Sequence, residues 1–294
     1  MAARVCHQGW LVVIACVLFI NPVGCAYALD EIVLTPGFSA QDDRYAYPYA
    51  ILKRALESTV VTDGGYTISY SPSAMSRKRA LEELVQGKLL NVHIAATRPE
   101  WESEVLPVRI PVLKGLLGYR LFLVRCDSLT KFEHVQSLAE LKSLRVGSGA
   151  QWTTTEVLRK AGFNVVAGTD YEGLFGMLDI GRFDYIPRGV NEIFLELNSR
   201  KERYPGLCVE PSLMLYFPTP SYFFVSPHFP KLAARIERGM ERIIQSGEMD
   251  LIFEEYYGEA IARAELKRRM ALTIDNDLLS RETPFDRHEL WYRP

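Results

Sequence analysis

Apolar residues along this chain recur with two periods, and the switch from one to the other lays out its elements. Short apolar or alternating runs mark strands at Glu31 to Leu34, Tyr66 to Tyr70, Asn91 to Ala96, Gly118 to Val124, Leu144 to Gly147, Phe183 to Pro187 and Ser221 to Ser226. Between them, the spacing of one buried helix face appears at Ile51, Leu52, Ala55 and Leu56, and again at Ala80, Leu81, Leu84 and Val85, where Gly87 closes the helix. It returns at Tyr171, Leu174, Phe175 and Leu178, at Val190, Ile193, Phe194 and Leu197, and at Leu232, Ile236, Met240, Ile243 and Ile244. Gly247 then breaks the pattern, a shorter helix carries Met249 to Tyr256, and Gly258 ends it. A charged helix with Glu265 and Arg269 at i, i+4 is expected next, leading to an aromatic tail that packs back on its own domain. Short strands alternating with helices argue an α/β fold.

The polar residues of interest fall where strands hand over to helices. Phe38 stands in the loop after the first strand, Arg98 follows the strand that ends at Ala96, and Trp152 follows the strand that ends near Gly147. Thr153 and Glu156 fit a capping box at the next helix start, with Thr154 in its first turn. Arg188 sits between a strand and a helix, with Glu192 one turn further on. In open α/β sheets ligands bind outside the carboxyl ends of the strands, and helix starts there favour anions, so these residues are read as walls of a small-molecule site. Each also has a plainer reading. Arg98 and Arg188 can pair with neighbouring carboxylates, Trp152 and Phe38 can be packing residues, Thr153 can serve its helix alone, and Glu192 can simply favour the positive end of its helix.

The first 28 residues read differently from the rest. Arg4 is their one charged side chain apart from histidine, Leu11 to Ile20 is an unbroken apolar run, and Ala26-Tyr27-Ala28 follows Pro22 and Gly24. A charged start, a short apolar core and a small-x-small site describe a cleaved secretory signal peptide, cut after Ala28, which implies an exported product. Lipid attachment at Cys25 is the competing reading, against which Pro22 stands where a branched aliphatic residue is expected.

Composition narrows the function. The 294 residues are 48% hydrophobic, and their net charge of −2 becomes −3 once Arg4 leaves, because segment 1–28 holds none of the 36 acidic side chains. No basic field speaks for nucleic acid. Cys126 and Cys208 are the two cysteines that remain, free to pair in an oxidising compartment or to stay as buried thiols. The histidines show no metal-ligand spacing, and neither a dinucleotide fingerprint nor a nucleophile elbow occurs, so no cofactor, metal or catalytic residue is expected.

The order of elements resembles the family 3 extracellular solute-binding proteins, periplasmic receptors of polar amino-acid transporters. The residues that carry the resemblance run from about Asp30 to Tyr257: Leu84 to Val92 around Gly87-Lys88, Ser137 to Leu141 ahead of Val146-Gly147, Gly181 to Tyr185, and Ser246 to Asp250 with Tyr257-Gly258. The resemblance implies a two-lobed, periplasmic-binding-protein-like type 2 fold, each lobe a mixed sheet flanked by helices, joined by two crossing strands. Lobe one would comprise 29–117 and 218–294, and lobe two 118–217. It further implies a monomeric, non-catalytic receptor that captures a small polar solute between the lobes for an ABC-type permease or, alternatively, for a membrane sensor.

This sequence departs from that family at two places. Receptors for amino acids carry Thr-x-x-Arg after the third strand, whereas here Arg98 follows Thr97 directly, and the acidic residue expected after the Gly-Arg-x-Asp strand is replaced by Arg188. Either the solute is acidic, modified or amino-acid-like, held by Arg98, Arg188 and helix-start groups, or the pocket has moved to another purpose. A dehydratase or lyase using Glu100 or Glu192 as acid or base is the enzymatic alternative.

Overall fold

The computed structural model describes residues 29–37 and 43–294, together with Met1. The expected signal peptide with its Ala28 cleavage site and Cys25, and the candidate Phe38, lie outside the described residues.

The chain opens with β1 (Asp30–Leu34), α1 (Ala46–Ser58), the single-turn α2 (Val60–Asp63), β2 (Tyr66–Tyr70), α3 (Arg77–Gln86), β3 (Val92–Ala96), α4 (Pro99–Glu104) and β4 (Leu106–Val108). β5 (Tyr119–Arg125) leads into the second lobe. There follow α5 (Thr130–Glu133), α6 (Leu138–Ser143), β6 (Arg145–Gly149), α7 (Thr153–Lys160), β7 (Asn164–Gly168), α8 (Tyr171–Asp179), β8 (Tyr185–Gly189), α9 (Val190–Arg200), β9 (Leu207–Val209) and β10 (Leu213–Tyr216). The chain then returns through β11 (Ser221–Val225), α10 (Pro230–Gln245), α11 (Glu248–Ala264) and β12 (Met270–Thr273).

In the first lobe β1 and β2 run parallel, and β11 lies antiparallel between β3 and β4. The buried Asn91 joins the two groups of strands. Its Oδ1 accepts from the Val33 N–H at 2.7 Å and its Nδ2 donates to the Glu31 carbonyl at 2.6 Å, so a side chain takes the place of ladder hydrogen bonds. The second sheet has the order β12-β10-β5-β8-β6-β7, with β9 also on β5. β6, β7 and β8 share one direction, which brings their carboxyl ends to one edge.

The helices form where the apolar period requires. α10 buries Leu232, Ile236, Met240 and Ile243 against the first sheet, each side chain contributing about 1.5–3 kcal/mol. Arg235 lies in the same stripe, 1% exposed, and its charge is tolerated because its donors are satisfied by Asp30, Thr59 and the Gly64 and Gly65 carbonyls. Gly247, at φ 78°, turns the chain from α10 into α11, a conformation that costs other residues strain.

Three features depart from the sequence reading. α11 runs through Gly258 to Ala264, so the separate charged helix is absent: Glu265 instead takes a left-handed conformation and pairs with Arg268, while Arg269 donates to the carbonyls of Ala264, Glu210 and Leu213. Glycine in mid-helix costs only about 1 kcal/mol, which the buried Met249, Phe253, Tyr257 and Ala264 of this helix exceed. The resemblance places 218–294 in lobe one, yet β12 extends the second sheet beside β10. The tail beyond it then spans back, through Ser280 on Glu102 and the Tyr292 N–H on the Lys114 carbonyl. Finally, one core runs through both lobes, with Ile193 and Phe194 of α9 in the same cluster as Phe253 and Tyr257 of α11.

Cys126 and Cys208 are joined as a disulfide, their Cα atoms 5.4 Å apart, where β5 and β9 pair.

Candidate functional site

The carboxyl ends of β3, β6 and β8 converge on the gap between the lobes. From the first lobe, Arg98 donates through Nη2 to the Trp152 carbonyl at 3.3 Å and stands 3.3 Å from Glu156 in α7 of the second. Arg98 also pairs with Glu100 at 3.2 Å. Arg44, likewise from the first lobe, lies 5.5 Å from the Tyr171 ring in α8. Residues from both lobes therefore meet face to face.

On the second lobe Trp152 lies between a glycine and an arginine. A Cβ at Gly149 would come within 2.4 Å of the indole, so only glycine lets the ring rest on the end of β6. On the ring, the Arg188 guanidinium stands 4.4 Å from the centroid. The capping box read at Thr153 and Glu156 does not form: Trp152 is the residue before the helix, and Thr153 is its first helical residue. Glu156 turns to Arg98 instead. Thr155, one turn in, donates to the Gly149 carbonyl, fastening helix to strand. Thr153 and Thr154 are both buried, and the Thr153 hydroxyl has no partner.

Arg188 points inward but is fully engaged. Its Nε donates to Glu196 Oε2 at 2.6 Å, its Nη2 pairs with the other oxygen, and Glu192 stands 3.1 Å away. Burial works to lower the Arg188 pKa, but Glu192 and Glu196 outweigh it and hold it above the ordinary value. Glu196 is likewise pushed up by burial and pulled further down by Arg188, ending below the ordinary carboxylate value. Tyr171 donates to Glu196 at 2.6 Å, and burial raises its own pKa. Glu192 accepts from the Gly189 N–H at the start of α9 and lies 3.8 Å from Arg120.

Several residues here escaped the sequence reading. Arg120, 2% exposed and opposite Gly189 in the β5–β8 ladder, has a pKa lowered by burial to about 10. Arg77, at the start of α3, donates to the Ala96 carbonyl and lies 5.1 Å from the Trp101 ring; burial, then Arg98, lower it to about 9. His93 is buried 5.6 Å from Trp101 and is driven to about 3 by desolvation and by Arg77. One signal was available for Arg120, a lone cation inside the apolar run Tyr119 to Val124. Glu196 could be read as the second carboxylate on the face of Glu192. Arg77 and His93 carried no such mark.

No protein-family model and no curated protein matches the chain. Solved structures do. An ancestral arginine-binding protein bound to arginine is 18% identical with a TM-score of 0.55, over 78% of this chain and 98% of that one. A periplasmic binding protein of Salmonella typhimurium with high arginine specificity gives 14% and 0.53, over 78% and 99%. An ancestral amino-acid-binding protein, described as a precursor of cyclohexadienyl dehydratase, gives 12% and 0.54, over 78% and 95%. The chain thus has the two-lobed α/β fold of periplasmic binding proteins.

Proposed function

We propose that this protein is a periplasmic solute-binding protein that captures a small acid-bearing solute between its lobes and presents it to an ABC-type permease. The observation that carries the reading is Arg98 of one lobe meeting the Trp152 carbonyl and Glu156 of the other, which puts guanidinium groups and helix starts on both sides of one gap. The acidic group lies against Arg98, the Thr153 hydroxyl and the first turn of α7 with Thr154, where donors and the positive helix end favour it. Trp152 forms an aromatic wall. Arg188 and Glu192 shape the second lobe's side. A solute touching both halves favours the closed state by its differential contacts.

The same site could serve a membrane sensor in place of a permease, which changes the partner and leaves the binding chemistry as it is. An enzymatic use is disfavoured by the pairing of its candidate carboxylates. Glu100 is engaged by Arg98, and Glu192 by Arg188 and Arg120, which leaves neither as a free carboxyl facing a substrate.

Calorimetry on residues 29–294 against amino acids and organic acids tests the reading. Binding by at least one class, abolished by Arg98→Ala, is expected. Heat-silent titrations across every class, or binding indifferent to Arg98→Ala, defeat it.

A further inference from the structure

Among the described residues, charge around the gap is not balanced. Besides Arg44, four guanidinium groups gather there, those of Arg77, Arg98, Arg120 and Arg188. Their carboxylate partners are Glu100, Glu156, Glu192 and Glu196. Glu100 and Glu156 keep 45% and 42% of their side-chain surface in solvent, where water screens most of their field, while Glu192 and Glu196 keep 15% and 8%. The buried carboxylates offset Arg188 and Arg120, and two cations on the first lobe, Arg77 and Arg98, are left with no buried counter-charge among the described residues.

Hydrogen bonding shows the same asymmetry. The Nε atoms of Arg77, Arg98 and Arg120 are buried without a partner, as are His93 Nδ1 and the Thr153 hydroxyl. Arg77 makes no ion pair with a carboxylate among the described residues. On the acidic side the acceptors are taken: Glu196 by Arg188 and Tyr171, Glu192 by Arg188, Arg120 and the Gly189 N–H. Buried cations without counter-charges are costly, and arginine binds carboxylate through paired, charge-assisted hydrogen bonds. Among the described residues, a ligand ammonium finds no uncommitted buried carboxylate here.

We propose that the solute is a dicarboxylate dianion, one carboxylate seated on Arg77 beside His93, the other on Arg98 and the Thr153 hydroxyl. This assignment rests on the gap between the lobes being the solute site. It adds Arg77 as a binding residue and removes the requirement for an amino group.

The probes are succinate, glutarate, butyrate, glutamate and arginine, titrated by calorimetry into residues 29–294 as wild type, Arg77→Gln and Arg98→Ala. Succinate or glutarate is expected to bind more tightly than butyrate and the two amino acids. Arg77→Gln should cost roughly tenfold to a hundredfold in dicarboxylate affinity, the size of one charged hydrogen bond. With an unpaired cation removed, that variant should unfold at the same or a higher temperature without solute, which a purely structural role for Arg77 would not give. Should Arg77→Gln fail to fold, the wild-type order of succinate against butyrate decides alone. Butyrate or an amino acid binding as tightly as the dicarboxylates overturns the proposal. If that binding disappears in Arg98→Ala, the solute-binding reading stands without the dianion. Silence with all five probes overturns the dianion assignment.

Discussion

Arg188 and Glu196 face each other through two parallel hydrogen bonds, Nε to Oε2 at 2.6 Å and Nη2 to Oε1, with both side chains buried. The strand end at β8 supplies the cation and the middle of α9 the anion, so the pair ties helix to sheet on the second lobe's side of the gap.

Removing one partner exposes the cost of the other. Glu196→Gln leaves Arg188 with Glu192 alone and should lower stability by about 3–5 kcal/mol in urea unfolding. The pH dependence has a definite sign. Glu196 has a folded pKa below its ordinary value of 4.5, so its stabilisation is complete above pH 4.5 and is lost as pH falls through the folded value. Wild type should weaken below pH 4.5, and the gap between it and Glu196→Gln should narrow there.

His93 sets a second window. Desolvation and the nearby Arg77 depress its pKa from 6.5 to about 3, so the unfolded chain takes up a proton that the folded one refuses between those values. Stability should be full above pH 6.5 and fall toward pH 3, by at most on the order of 5 kcal/mol from this group. His93→Gln should remove that slope, measured by urea unfolding at stepped pH. An unchanged slope between pH 6.5 and 4.5 in the variant would place the titration on another residue.

What the sequence made legible follows its periodicities. The helix faces at Ile51, Leu174, Ile193 and Ile236 are buried as the spacing requires, and Arg98, Trp152 and Arg188 reach the gap because strand ends do. What it hid depends on tertiary neighbours. Glu196 lies eight residues past Arg188, and their contact exists only because α9 folds back along β8. Thr153 looks like a cap, but the glycine at 149 lets Trp152 lie flat on the strand, which makes the tryptophan the residue before the helix. The partners of Arg77 come from β3 and α4, with nothing in its own segment to announce them.

The disulfide lies away from the proposed site. Cys126 is six residues beyond Arg120 along β5, roughly 20 Å at strand rise. Closing a loop with a sequence separation of 82 restrains the unfolded chain by about 4–5 kcal/mol in the entropic account. Cys126→Ala with Cys208→Ala should lower unfolding free energy by up to that amount and leave solute affinity within error.

Gly239 is where α10 crosses α1 most closely. A Cβ there would stand 2.2 Å from the Ala55 carbonyl oxygen, a backbone atom that cannot swing aside. Alanine gains about 1 kcal/mol of helix propensity, against about 1–3 kcal/mol for overpacking. Because the obstacle is backbone, the packing cost should prevail, and Gly239→Ala should lower the melting temperature by several degrees. A rise would show that the two helices can separate freely.

Arg98 and Glu156 make a charged contact across the gap, and its strength decides whether the lobes hold themselves shut. Glu156 is 42% exposed on its side chain, so the pair is worth about 0.2–1 kcal/mol, too little to fix closure without solute. Glu156→Gln should therefore change solute affinity by no more than about fivefold and leave the small-angle scattering radius with and without solute as in wild type. Arg98→Ala removes the proposed partner of the solute and should abolish the contraction expected on solute binding. If Glu156→Gln alone opened the protein and Arg98→Ala added nothing, closure would rest on the ion pair, and the solute would be secondary to it.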